Sequence, residues 1–382
     1  MARQRVAVIF GGRSGEHEVS LRSARSVIGA LDGDRWEIVP IGVTRSGAWL
    51  SVAETEAALA GGVEALTEGG TALTEGGALD ELGGCDVAFP LVHGTYGEDG
   101  CLQGLLEMAD MPYAGAGVAA SGVGMDKALQ KALFAEAGIP VARYVVLRRW
   151  EIEADPEEAR RFVEDEIGYP CFTKPANGGS SIGITRAASR EDLGQAFAVA
   201  LPHDQKVVVE QAMAGREIEC SVLGNEAPEA AAVVGEIEPD REFYDYDSKY
   251  ASDSRTALHV PARIDAESAE RVRELARRMY LAMGCEGYAR VDFFVGEDGE
   301  VTGSEVNTVP GFTSISMFPR MWEASGLAYP EGIPGPRRRP GRRCRRCRSG
   351  PRSGVPENAG CGRRNRRAPR SAGGRCAPPC WD

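Results

Sequence analysis

The chain has 382 residues and a formal net charge of −12, too long for one ordinary core and enough for two or three domains. The charge is uneven: residues 1–330 carry 29 basic and 53 acidic side chains, whereas 15 arginines fall after residue 332. A body that acidic repels phosphodiester backbones and argues against a nucleic-acid partner.

Five cysteines scattered before residue 330 fit reduced thiols better than a disulfide framework. The first apolar run, Val6–Phe10, is too short for a signal-peptide core, and no later run approaches a membrane span. The expectation is a soluble cytoplasmic protein with no membrane partner.

"RVAVIF" reads as a buried parallel strand ended by Gly11 and Gly12, "EVSLRSARSVIGAL" as a helix, and "WEIVPIGV" as the next strand. A seven-residue duplication from Ala65 to Ala78 reads as a surface loop, and "CDVAFPLVHG" as a third strand. Strand, helix, strand in this order predicts an open α/β domain with a parallel sheet to about residue 120. The texture then changes. A helix from Met125 is stopped by Gly138 and Pro140 and a strand follows. Next come a helix at "PEEARRFVEDEIG", a strand at "CFTK", a Gly/Ser turn and a strand at "SIGITR". "EDLGQAFAVAL" is helical, and "KVVVEQAM" and "EIECSVLG" are strands. "AESAERVRELARRMYLAMG" is a long helix before the strands "YARVDFFV" and "EVTGSEVN". This order predicts two α+β lobes.

Several stretches carry chemistry. In "FGGRSGEHEVS" the glycine spacing is not that of a dinucleotide fingerprint, and the second strand ends without a ribose-binding acid. Glu16, His17 and Glu18 at the helix start either stabilise the helix dipole or hold a small charged substrate. "LVHGTYGEDG" sets His93 and Glu98-Asp99 at the carboxyl end of a strand, where open α/β sheets bind ligands. "TKPANGGSSIGI" gives Lys174 at a strand end before Gly178, Gly179, Ser180 and Ser181, a turn whose N–H groups can close over phosphates. Glu210 and Glu217 follow and precede strands, where acids suit an adenine edge and ribose hydroxyls.

In "ARVDFFVGEDGEVTGSEVNTVPG", alternation puts Arg290 and Asp292 on one face of their strand and Glu305 and Asn307 on one face of the next. Oxygen ligands without His or Cys suit Mg²⁺ bridging nucleotide phosphates, and clustered buried carboxylates without a cation would repel or protonate. "EFYDYDSKYASD" is too irregular for a core element and reads as a lid that excludes water from a reactive intermediate.

These motifs, with "MDK" and "EVNTVPGFTSISMFPRMW", run in the order seen in the D-alanine–D-alanine ligases of the ATP-grasp superfamily, which the chain resembles from about Val6 to Tyr329. The resemblance implies an ATP-grasp fold: an α/β substrate domain at 1–120, a central lobe at 121–212 and a C-terminal lobe at 213–330 carrying a lid at 240–255. The two α+β lobes would clasp ATP. By position Lys127, Lys174, Glu210 and Glu217 would hold ATP, and Asp292, Glu305 and Asn307 would hold two Mg²⁺ ions, with Mn²⁺ as an alternative. Glu16 would receive the ammonium of the first D-alanine beside His93, with Ser180 and Tyr250 in the same network. Arg290 and the N–H of Gly311 would form an oxyanion hole, and Lys249 and Ser316 would bind the carboxylate of the second D-alanine. The implied activity is ATP-dependent ligation of two D-alanines through a D-alanyl phosphate for cell-wall precursors, with room for a homodimer. Ligation to D-lactate, another ATP-grasp carboxylate–amine ligation, and an inactive ATP-binding module remain as alternatives.

Two departures stand out. Thr302-Gly303-Ser304 precedes Glu305 where the family usually has larger side chains, and the glycine is expected to leave a gap in the strand. Residues 331–382 are rich in Arg, Pro and Gly, carry five cysteines at irregular spacing without a histidine, and replace the family's closing helix. They read as a disordered tail of the composition a shifted frame in a GC-rich gene would give, ahead of a nucleic-acid arm or a zinc site.

Overall fold

The structure, a computed structural model, describes residues 3–62, 66, 78–239, 256–313 and 315–328. All of them fall within one compact unit, Met1–Pro340. The expected lid at 240–255, the tail at 331–382 and most of the Ala65–Ala78 repeat lie outside the described residues. No helix among the described residues is long and apolar enough to cross a membrane.

The first layer is a three-stranded parallel sheet in the order β2-β1-β3, from β1 (Gln4–Gly11), β2 (Trp36–Val43) and β3 (Val87–Pro90). Its strands are short apolar runs because both faces are covered, as parallel sheets require. Helix α1 (His17–Ala30) joins β1 to β2 and buries Leu21, Ala24 and Val27 on the sheet. The third strand is shorter than expected and leaves Leu91–Gly94 as the loop that carries His93.

The second layer is a four-stranded antiparallel sheet in the order β4-β7-β5-β6, from β4 (Tyr144–Arg148), β5 (Cys171–Pro175), β6 (Thr185–Ala187) and β7 (Lys206–Gln211). The expected strand at "SIGITR" is real only at its end. Ser180 and Ser181 sit at φ +50° and +59°, so Gly178–Ile184 forms a turn instead of a strand.

The third sheet runs β11-β10-β8-β12-β13, with β9 beside β8. Its strands are β8 (Arg216–Leu223), β9 (Glu229–Ala230), β10 (Gly235–Glu238), β11 (Ala257–His259), β12 (Tyr288–Val295) and β13 (Val301–Asn307). The helix Ala266–Ala282 covers its inner face. Asp265 caps that helix by accepting the N–H groups of Glu267 and Ser268 at 2.9 Å. Val272, Leu275, Ala276, Met279 and Tyr280 then recur at helical spacing and are fully buried against Ile218, Val291 and Val306. Val272, Leu275 and Met279 each contribute about 1.5–3 kcal/mol by this burial.

The gap expected at Gly303 is not there. A Cβ on Gly303 would lie 2.9 Å from Met279 Sδ and 3.0 Å from its Cε, so the methionine already fills the space. Gly303 N–H also donates to Pro140 O at 2.8 Å, tying β13 to the segment before β4. A one-residue bulge follows: Asp292 pairs with Glu305 whereas Phe293 pairs with Gly303.

Candidate active site

The three sheets meet around a cavity of about 800 Å³. Its walls take in every described residue to which the family resemblance gives a site role except Glu210, which lies buried behind Lys174; His17, Glu18 and Asp99, also noted in the sequence, are not on its walls. Lys249 and Tyr250 lie outside the described residues.

One wall is the outer face of the third sheet. Register sets Glu219, Asp292 and Glu305 side by side across β8, β12 and β13, and Asn307 opposite Arg290. Three carboxylates in a row need cations, and Arg290 sits among them. Its Nε and Nη2 donate to the two Asp292 oxygens at 2.7 Å each, and Nε lies 3.1 Å from Glu219 Oε1. Burial works against the guanidinium charge, but Asp292 and Glu219 hold its pKa well above the ordinary arginine value. Asn307 Nδ2 donates to Asp292 Oδ2 at 2.9 Å, and Lys127 Nζ stands 3.8 Å from Glu305 Oε2.

The donor set of Asp292, Glu305 and Asn307 is oxygen-only and fits a hard divalent cation. Among the described residues no three His, Cys, Asp or Glu side chains converge into a cage. An ion here would therefore share its coordination with a ligand's phosphates, as Mg²⁺ commonly does.

The second wall comes from the four-stranded sheet. Asp126 caps the helix Lys127–Glu136 by accepting from Ala128 N and Leu129 N, which places Lys127 in the first helical turn. Lys127 Nζ reaches Gly178 O at 2.7 Å, pinning the Gly/Ser turn. Glu210 bridges two lysines, pairing with Lys174 on the neighbouring strand and with Lys131 Nζ at 2.7 Å. Burial would raise the Glu210 pKa, but the two ammonium groups pull it down to about 2. The same pairing, with Glu305 and Glu217 farther off, outweighs burial and raises Lys174.

The third wall belongs to the parallel layer. The acids at the start of α1 divide by direction. Glu18 pairs with Arg45 at the surface, and His17 is buried between Gly12 O and Leu66 N. Glu16 makes no cap hydrogen bond and instead accepts Ser180 Oγ–H from the Gly/Ser turn beside the four-stranded sheet. Glycines make room for it: a Cβ on Gly179 or Gly94 would stand 2.6 or 2.8 Å from Glu16 Oε2. Glu98 lies close by, and burial and the Glu16 charge push its carboxyl up to about 8. At the floor, Ser316 Oγ contacts Thr313 at 2.7 and 3.1 Å, and a Cβ on Gly311 would meet Ser316 Oγ at 2.8 Å.

Two family models match most of the chain. A family model described as D-ala D-ala ligase N-terminus matches residues 5–116, and one described as D-ala D-ala ligase C-terminus matches residues 133–334. The chain belongs to the D-alanine–D-alanine ligase family. A D-alanine–D-alanine ligase of Geobacillus thermodenitrificans (strain NG80-2) is 45% identical over 344 residues, taking in 87% of this chain and 93% of that protein. One from Mycobacterium avium (strain 104) is 47% identical over 357 residues, covering 86% and 94%. Among solved structures, the VanG D-Ala:D-Ser ligase of Enterococcus faecalis superposes with a TM-score of 0.73 at 35% identity, over 87% of this chain and 98% of that one. The D-alanine–D-alanine ligase of Coxiella burnetii gives 0.73 at 32% identity, over 87% and 92%.

Three groups at this ligase-family cavity, Glu98 and Glu219 on its wall and Lys131 buried behind it against Glu210, carry no site role in the sequence reading. Glu219 is two residues after Glu217, so strand alternation alone puts both on the Arg290 face. Lys131 is four residues after Lys127, hence on the same side of the helix Lys127–Glu136. Glu98 lies in a polar loop whose sequence carries no signal of its burial, which comes from the fold.

Proposed function

We propose that this chain joins two D-alanines to D-alanyl-D-alanine at the expense of ATP, for cell-wall precursor synthesis in the cytoplasm. The observation that carries the reading is the shared cavity. It holds an ammonium acceptor, Glu16, opposite a phosphate-compatible face of Lys127, Lys174, Arg290, Asp292 and Glu305. On this reading residues 1–120 hold the first D-alanine, while 121–212 and 213–330 close on the nucleotide.

A carboxylate is a poor electrophile, so one of its oxygens first attacks the γ-phosphorus. The P–O bond to ADP breaks and D-alanyl phosphate forms. The neutral amine of the second D-alanine then attacks the acyl carbon. The tetrahedral oxyanion collapses, the C–O bond to phosphate breaks, and the amine gives up its proton. Lys127 and Lys174 neutralise the transferring phosphoryl group, and Glu210 with Glu217 serves the base and ribose side. Asp292, Glu305 and Asn307 would hold two Mg²⁺ ions, or Mn²⁺, which when bound neutralise phosphate charge. Glu16 takes the ammonium of the first D-alanine with Ser180 in the same network and His93 beside it. Arg290 and the Gly311 N–H face the oxyanion, and Ser316 faces the second carboxylate.

Incubation with ATP, Mg²⁺ and D-alanine, with D-serine or D-lactate supplied as second substrate in parallel, tests the reading. Phosphate release with D-alanine alone and a D-alanyl-D-alanine product support it. ATP binding without turnover would replace it with an inactive nucleotide-binding module.

A further inference from the structure

Gly311 lies in a loop between β13 and the helix Met317–Ala324 and belongs to no strand. The backbone around it is held instead by side chains from the parallel layer. Glu98 Oε1 accepts Val309 N–H at 3.1 Å, and its Oε2 accepts Gly94 N–H at 2.7 Å. His93 Nδ1 lies 3.0 Å from Val309 O, and His93 Nε2 lies 3.0 Å from Ser23 Oγ. Ser23 Oγ also faces Phe312 N at 3.4 Å.

The direction of each bond follows from its fixed members. A carbonyl oxygen can only accept, so His93 Nδ1 carries a proton toward Val309 O. Burial lowers the basicity of this imidazole, which leaves Nε2 as a bare acceptor. Ser23 must then donate to Nε2, and its remaining lone pair receives Phe312 N–H. The chain runs from Phe312 N–H through the Ser23 hydroxyl to His93 Nε2, and from His93 Nδ1–H to Val309 O. Its two ends are the peptide planes on either side of the Pro310–Gly311 plane. Proline fixes one dihedral between them. The Phe312 ring is wedged edge-on against Phe89 and Tyr288, with centroids 5.6 and 5.1 Å away. That packing fixes where the loop sits, whereas only the polar bonds fix how its peptide planes are rotated.

We infer that Ser23 and His93 are positioning residues that clamp the Val309–Phe312 turn, and so aim the Gly311 N–H at the developing oxyanion. The inference rests on the ligase reading above. Both imidazole nitrogens are engaged within the protein, so His93 acts through the turn and not on the substrate. Ser23 is fully buried in α1 and serves the reaction without reaching the cavity wall.

The full-length chain and its Ser23→Ala, His93→Asn and double variants provide the test. Asparagine retains an N–H for Val309 O but cannot reach Ser23. Each single variant is expected to lower kcat roughly 10- to 100-fold, the scale of a small misplacement at a reacting centre. KM for ATP and the melting temperature should stay close to those of the parent. The two changes break one chain of bonds, so the double variant should be no slower than the slower single one. A phosphinate isostere of the dipeptide carries a tetrahedral P–O⁻ where the oxyanion forms. Ser23→Ala should weaken its binding by a factor similar to the loss in kcat/KM while ADP binding is unchanged. Parental kcat in Ser23→Ala, multiplicative losses in the double variant, or equal loss of ADP and phosphinate affinity would each overturn the inference. A parent chain that binds ATP but makes no dipeptide would instead remove the ligase reading beneath it.

Discussion

Arg290→Ala separates the oxyanion role proposed for this guanidinium from its place as counter-ion to three carboxylates. As an oxyanion donor, its removal is expected to cost about 10²–10³ in kcat, the range seen when one such donor is lost. As a counter-ion, its loss leaves Glu219, Asp292 and Glu305 adjacent across three strands with their central cation gone. Breaking a buried pair by removing one partner typically costs about 3–5 kcal/mol. In a chain of this size that is a fall in melting temperature of about 5 °C. Arg290→Lys restores the charge but not the two-pronged contact with Asp292, so it should recover most of the stability and little of the rate. Phosphate release gives the first quantity and calorimetry the second, each with and without Mg²⁺. Near-parental turnover in Arg290→Ala would refute the oxyanion role. An unchanged melting temperature would refute the carboxylate-row account.

Glu210→Gln leaves Lys131 and Lys174 facing each other without a negative charge, and a destabilisation of about 3–5 kcal/mol is expected by denaturant unfolding. Glu210 titrates at about 2 in the fold against 4.5 ordinarily, so its stabilisation is present above pH 4.5 and is lost as pH falls toward 2. The variant should therefore lose less stability than the parent over that acid window. Glu98 has the opposite sign: its carboxyl sits at about 8 in the fold, so the stability it confers is full below 4.5 and fades as pH rises to 8. Glu98→Gln mimics the protonated acid at every pH, and its melting temperature should fall less between pH 5 and 8; parallel curves would count against a raised Glu98. Gly179→Ala puts a methyl 2.6 Å from Glu16 Oε2 and should raise KM for D-alanine several-fold, by a larger factor than any rise in KM for ATP that comes from its place in the Gly/Ser turn. A rise confined to KM for ATP would place Glu16 in the wrong role.

The layers were legible where periodicity is strong. "YARVDFFV" and "EVTGSEVN" alternate so regularly that the shared face of Arg290, Asp292, Glu305 and Asn307 follows from the pleat alone. The bulge after Asp292 was not legible, because one extra residue in a strand leaves no periodic signature. Gly303 was misread for a related reason: whether a glycine leaves a hole depends on Met279, which arrives from another element. The strand expected at Ser181 failed because two consecutive serines adopt the left-handed conformation to bring Ser180 onto Glu16. Ser23 looks in sequence like any helix serine. Its partners lie 70 and 289 residues away, and only the packing of α1 under the β13 exit brings them together.

Isotope transfer tests the proposed chemistry most directly. D-alanine labelled with ¹⁸O in its carboxylate is incubated with the chain, ATP and Mg²⁺, and the released phosphate is analysed by mass. Activation through D-alanyl phosphate places one labelled oxygen in each phosphate formed, because the attacking carboxylate oxygen leaves with phosphorus. Phosphate that carries no label while dipeptide accumulates would contradict the acyl-phosphate route.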